Sequence, residues 1–290
     1  MKILFVSRGA PPKSDVDYQN DCLLIGLKEL FGSDVIDCDK QSFIYTSYDA
    51  EAAKRLYGMG MTVSRALPDL EVDRTDIHAK IKSQYFDLIV YGSIWRCWTY
   101  VKETLEYYPR NKVIVVDGED GSAIHPIYRY KLPYFKREHT LTAEDVIPIS
   151  FAMPMSKINF NINKIKNFSY ITPLDKSTYT HKDEESYYKD YNEARFGITA
   201  KKGGWDCMRH YEIMGNGCLP YFINIEQCPV NVMNQFPKQM CSDINRAVLE
   251  IGPESAYNRF IECMRLHFMT YNTTTALAKY FCDILAKDKL

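Results

Sequence analysis

The sequence predicts an α/β protein built from two doubly wound units, and three observations carry that expectation. Short apolar runs are continuous rather than alternating, as in parallel strands covered on both faces. Amphipathic segments at helical spacing lie between those runs. The alternation breaks at about 148–167 and then resumes. A chain of 290 residues is long enough for two domains, each with its own core.

Residues 2–7 read as a buried strand that ends in the breaker-rich turn Arg8-Gly9-Ala10-Pro11-Pro12. From about Asp17, the residues Val16, Asn20, Leu23, Leu24, Leu27 and Phe31 recur at helical spacing, and Gly32 stands where a C-terminal cap belongs. A second strand follows at 34–38, and the apolar runs 86–91 and 112–116 read as two more. Periodicity is lost over 148–167, which carries two prolines and many Asn and Lys, so the linker is placed there. Beyond it the sequence predicts a strand at 168–172, an acidic helix at 183–194, a strand at 195–199, a helix at 206–215 and a strand at 219–223. Tyr257, Phe260, Ile261, Met264 and Phe268, then Leu277, Tyr280, Phe281, Ile284 and Leu285, form the apolar stripes of two terminal helices. The division is 1–155 for the first domain and 156–290 for the second, terminal helices included.

Composition narrows the function. Apolar residues are 46% and charged residues 25%, which fits a compact soluble protein rather than a disordered or fibrous one. Lys plus Arg is 36 and Asp plus Glu 37, a net charge of −1, so no cation excess exists to neutralise a nucleic-acid backbone. The nine cysteines include no C-x-x-C pair and read as reduced thiols of a cytoplasmic protein. No signal-peptide core or membrane-spanning run is present.

Chemistry concentrates in 196–222, which reads as strand, glycine loop, helix, glycine stop, strand. Gly203 and Gly204 allow close approach of a ligand, Asp206 can cap the next helix, and the free amides of that helix's first turn form an anion site. Lys201, Lys202 and Arg209 add positive charge. Arg209 and Glu212, three apart, share a helix face, one able to grip a phosphate and the other to accept from sugar hydroxyls. The alternative is a plain turn with solvated lysines and a surface Arg–Glu pair. Neither the Walker pattern nor G-x-G-x-x-G is matched.

The run Phe196-Gly197 to Lys202-Gly203-Gly204-Trp205-Asp206, then Arg209-His210-Tyr211-Glu212 and Gly217-Cys218-Leu219-Pro220, resembles the donor-binding segment of exostosin-type and related GT-B glycosyltransferases. Leu56-Tyr57-Gly58-Met59-Gly60, Val72-Asp73-Arg74, Asp117-Gly118-Glu119-Asp120 and Tyr134-Phe135-Lys136-Arg137-Glu138 resemble glycosyltransferases of large algal viruses, the chlorovirus type, and of some bacteria. The resemblance implies a GT-B-like fold, two Rossmann-like domains facing a cleft, with a nucleotide-sugar on the second domain and a glycan acceptor on the first. It implies that Arg209 meets the diphosphate and Glu212 the ribose, with Lys201 or Lys202 offsetting leaving-group charge, so no metal and no cofactor are required. Trp205 and His210 fall in the same donor segment; Gly9, Tyr57 and Gly58 are assigned to the acceptor side of the cleft. UDP-xylose is a plausible donor by resemblance alone, and a viral chain would work in the host cytoplasm.

An inverting transfer needs a base on the acceptor side. Asp117, Glu119 and Asp120 follow the strand 112–116 and should face the cleft, although they could instead form a turn that holds Lys136 and Arg137. Asp73 is an equal candidate, or a helix N-cap. The E-x7-E motif of one large retaining group is absent, which favours inversion. Asp37-Cys38-Asp39 has D-x-D spacing but ends an apolar strand, and the histidines show no zinc-ligand spacing. Trp95, Trp98 and Tyr100 read as packing rather than as sugar-stacking rings. The competing reading is a protein that binds a nucleotide or nucleotide-sugar without turnover. An epimerase is disfavoured, because the N-terminal glycine motif and a Tyr-x-x-x-Lys pair are missing.

Overall fold

A computed structural model describes residues 1–7, 16–140, 145–161 and 163–287. The turn after the first strand, and with it Gly9, lies outside the described residues. The first unit runs β1 (Ile3–Val6), α1 (Tyr18–Phe31), β2 (Val35–Cys38), α2 (Ala50–Ala53), α3 (Ile77–Lys82), β3 (Leu88–Tyr91), α4 (Val101–Tyr107), β4 (Val113–Asp117), β5 (Tyr134–Lys136) and β6 (Val146–Pro148). These strands pair in parallel in the order β2-β1-β3-β4-β5-β6. Every residue of β1, β2, β3 and β4 is buried, which is why their sequences are unbroken apolar runs rather than alternating ones. Asp17 caps α1 by accepting from the Asn20 amide at 3.3 Å, and Gly32 ends it in a left-handed conformation (φ 57°), as its spacing predicts.

The second unit runs β7 (Lys166–Phe168), α5 (Glu184–Glu193), β8 (Ala194–Thr199), α6 (Met208–Gly215) and β9 (Leu219–Phe222), its strands parallel in the order β7-β8-β9. The strand expected at 168–172 stops at Phe168. Beyond it the amides of Tyr170 and Ile171 donate to the Asp190 carboxylate at 2.9 and 3.3 Å instead of to a neighbouring strand. The helices α7 (Lys238–Ile251), α8 (Pro253–Tyr271) and α9 (Thr274–Lys287) close the described chain.

The expected two parallel-sheet units facing a cleft are therefore present, with one qualification from packing. Helix α9 leaves the second unit and lies on the first: Phe281 packs on Phe135 with ring centroids 4.8 Å apart, and the Tyr280 hydroxyl donates to the Pro148 carbonyl at 2.8 Å. Thr274 and Thr275 donate to Glu29 of α1, both at 2.7 Å. A continuous apolar core joins the inner faces of both sheets to α1, α8 and α9. All nine cysteines are unpaired thiols, and no described helix is long and apolar enough to cross a membrane.

Candidate functional site

Parallel strands deliver their following loops to one edge of the sheet, and here those edges face each other across a cleft of about 1000 Å³. Loops after β4 and β8 supply opposite walls: Gly118, Glu119 and Asp120 on the first unit, Lys202, Gly203 and Gly204 on the second. Tyr57 and Gly58 also line the cleft, as do Asp206, Arg209 and Glu212.

On the second wall the decisive group is Arg209. It lines the cleft yet is only 6% exposed. Its Nη2 donates to the Tyr179 hydroxyl at 2.6 Å, while Nε and Nη1 have no hydrogen-bond partner. A buried guanidinium with two unmet donors is costly unless an acceptor completes it, and an anion entering the cleft is the group that would. Lys202, over the Tyr179 ring at 5.5 Å, adds a second cation. Lys201 sits instead over the Trp205 ring at 5.4 Å and is not among the cleft residues.

Three residues expected on the donor side do different work. The Asp206 carboxylate does not cap α6, whose flanking residue is Cys207; it accepts from the Phe151 amide at 2.8 Å and the Tyr211 hydroxyl at 2.9 Å. Burial pushes its pKa up to about 6, with Arg137 opposing the rise. Trp205 is buried and stacked on Phe222 at 6.5 Å, because the loop folds it into the second unit's core. His210 is fully buried and is not among the cleft residues. Its Nε2 lies 2.9 Å from the Trp205 carbonyl, an acceptor, so Nε2 carries the proton and Nδ1 accepts from Thr199 Oγ1 at 2.8 Å.

The glycines allow close approach, but to the other unit. A Cβ on Gly203 would strike the Asp120 carboxylate, and one on Gly204 would strike that of Glu138. Across this contact Glu138 accepts from the Asp206 amide at 2.8 Å, and Arg137 donates to the Asp206 carbonyl at 2.6 Å. Glu212 is likewise an inter-unit group. Its oxygens accept from Thr62 Oγ1 of the first unit and from Tyr187 at 2.6 Å; burial raises its pKa while those two hydroxyls and Arg209 oppose the rise.

The acids expected on the first wall are all engaged. Asp117 is fully buried behind the cleft, paired with Lys136 at 3.1 Å and accepting from Trp95 Nε1 at 2.9 Å and from Tyr134. Asp120 reaches the cleft but pairs with the buried Arg137. The turn that holds Lys136 and Arg137 is thus real. Glu119, with its side chain 39% exposed, pairs with Arg96 at 3.0 Å. Asp73 is absent from the cleft. Its side chain is 64% exposed, and the Lys80 ammonium and the Thr75 hydroxyl and amide hold its pKa well below the usual carboxylate range. It does not cap α3 either, where Asp76 is the flanking residue. Asp37 of the D-x-D spacing is buried between Lys28 at 2.9 Å and Arg74 at 2.6 Å.

Sequence reasoning missed several cleft residues. Asp17 was legible only as a helix start, yet its carboxylate lines the cleft and accepts from Ser93 at 2.6 Å and Arg96 at 3.0 Å. Arg96 lies between two tryptophans with no motif to mark it. Tyr179, His181 and Tyr187 enter the cleft from the segment around α5, which reads in sequence as an acidic helix and its approach. Their shared signal was aromatic density beside charge, which is equally a signal of packing.

No family model matches the chain, and no curated protein matches it. Among solved structures, the chain is similar to CalG4, the calicheamicin glycosyltransferase, at 11% sequence identity and a TM-score of 0.37, the alignment covering 100% of this chain and 99% of that one.

Proposed function

We propose that the protein is a glycosyltransferase, a hexosyl- or pentosyltransferase that moves a sugar from a nucleotide-sugar, a UDP-sugar such as UDP-xylose, onto a glycan hydroxyl. The observation that carries the reading is Arg209: a buried cation on the cleft wall with two unmet donors. Donors fixed in a partly desolvated wall would stabilise the charge that develops on a departing diphosphate, at no cost of reorganisation. Lys202 would share that load, which makes a metal-independent transfer the proposed route. The resemblance of 196–220 to exostosin-type donor segments supports the choice of ligand. Inversion is proposed with Glu119 as base. Of the four acids expected there, it combines access to the cleft with an exposed ion pair, and such pairs contribute little, about 0–1 kcal/mol, so an acceptor can displace Arg96.

A thermal unfolding series tests this. UDP at 100 times its Kd should stabilise the protein by about 2.7 kcal/mol, with EDTA making no difference. Arg209→Ala should weaken UDP binding about 100-fold, since two charge-assisted hydrogen bonds go with it. Arg209→Lys, which keeps the charge but loses the fork, should fall between. No stabilisation by UDP, stabilisation indifferent to Arg209, or a need for added metal would each overturn the reading.

A second reading has its own observation. Asp117, Glu119 and Asp120 all carry cation partners, as they would in a protein that holds a nucleotide-sugar without turning it over.

A further inference from the structure

The loop after β3 and the loop after β4 leave the same edge of the first sheet, and their aromatic residues come together beside the cleft. Trp98 is 65% exposed and Trp95 40%. Both rings meet the His125 imidazole, Trp98 tilted with centroids 6.2 Å apart and Trp95 edge-to-face at 4.8 Å. Trp95 is held in place because its indole N–H donates to the buried Asp117 carboxylate at 2.9 Å, which leaves its ring as the available surface. Tyr100, the third aromatic of the cluster, belongs elsewhere: its hydroxyl meets Cys38 at 3.8 Å and its ring meets His78. The packing expected from the sequence therefore holds for Tyr100 and not for the two indoles.

Exposed indoles are expensive surface for a soluble protein to maintain, and a pair on a binding rim marks a recognition site. Next to Trp95 in the sequence stands Arg96, whose guanidinium bonds Glu119 and Asp17 inside the cleft. The platform is thus continuous with the wall from which the transfer would be made, and polar groups meet its apolar faces. A ligand that presents flat C–H faces edged by hydroxyls fits that combination, and a pyranose ring has that form.

From this juxtaposition we infer that Trp95, Trp98 and His125 form an acceptor subsite that binds one or more sugar rings of an oligosaccharide and holds its terminal hydroxyl toward Glu119. The inference rests on the glycosyl-transfer reading for its purpose but not for its test. Labelled protein saturated with UDP is applied to a printed array of α- and β-linked di- to tetrasaccharides of glucose, galactose, mannose and xylose. The wild type should bind at least one member. Trp98→Ala should lose about tenfold in affinity for that member, the size expected of one ring contact, and Trp98→Phe should recover most of it. Trp98 is exposed, so neither change should disturb folding, and UDP stabilisation should be equal in all three proteins.

Binding unchanged in Trp98→Ala would overturn the subsite, as would a UDP-bound wild type that binds no saccharide on the array. Saccharide binding that depends on Trp98 in a protein that UDP does not stabilise would keep the subsite and remove the nucleotide reading.

Discussion

The two walls of the cleft carry charge in opposite ways. On the first unit each charge meets another from the same unit: Arg96 lies between Asp17 and Glu119, Asp120 meets Arg137, and Asp117 meets Lys136. On the second, Arg209 spends one nitrogen on a tyrosine hydroxyl and keeps two donors unmet. A wall whose charges are internally compensated can face a neutral ligand such as a glycan. A wall that keeps a buried guanidinium with two unmet donors, even with Asp206 and Glu212 beside it, has room for a further acceptor such as an anion. The asymmetry is the electrostatic ground for the proposal that the donor lies against Arg209 and the acceptor against the other wall.

The largest test of that division is Glu119→Gln. If the acid becomes a base once an acceptor displaces Arg96, turnover should fall about 10²–10⁴-fold, the usual contribution of general base catalysis. UDP affinity should change less than about twofold, because Glu119 pairs with Arg96 of its own unit and shares no hydrogen-bond partner with Arg209. Initial rates alongside UDP titration give both numbers. Unchanged turnover would remove Glu119 as the base, and absence of turnover in the wild type with every saccharide on the array would favour the binding-only reading.

A smaller effect concerns what holds the second unit's wall in place. His210 is buried beneath the glycine loop as a neutral ring, and desolvation lowers its pKa to about 3, the Trp205 carbonyl opposing and nearby Arg209 assisting. An unfolded histidine titrates near 6.5. The folded value is depressed, so the native state binds fewer protons than the unfolded state below about pH 6.5. Stability from this group is complete above that pH and is lost as pH falls toward about 3. Between pH 7 and 4 the loss should be about 3 kcal/mol. His210→Gln retains one donor and one acceptor without the titration, so urea unfolding of both proteins across that range should show the difference shrinking on acidification. Parallel profiles would mean that His210 opens to solvent or that its proton is accommodated.

These walls were legible to different depths. The strands β1 to β4 declare themselves because burial on both faces forces unbroken apolar sequence, whereas β5 and β6 span three residues each and leave no period to detect. Gly203-Gly204 announces close approach, but a glycine pair cannot say whether the neighbour is a ligand or a protein carboxylate; here it is Asp120 and Glu138. Arg209 and Glu212 share a helix face as their spacing requires, yet their burial depends on Thr62 and Tyr179, far away in sequence and on other elements. The acids after β4 reach the cleft edge because strand order puts them there, while their pairing depends on side chains that no local pattern connects to them. Backbone direction is written locally, and charge compensation is written across the fold.

The smallest expected effect is that of Asp73→Asn, and it bears on whether the first wall ends where the cleft does. Asp73 accepts from the Thr75 amide at 2.9 Å and hydroxyl at 2.6 Å, and pairs with Lys80 at 2.8 Å. An asparagine oxygen can keep the bonds to Thr75, and only an exposed ion pair is given up. Turnover and UDP affinity should both stay within about twofold of wild type, and stability should be nearly unchanged. A base with its pKa held so low by Lys80 and Thr75 would be a weak one even if an acceptor reached it. A drop in turnover at unchanged stability would therefore require that acceptor binding carry the 72–76 segment into the cleft. The charge boundary between the two walls would then belong to the unliganded protein alone.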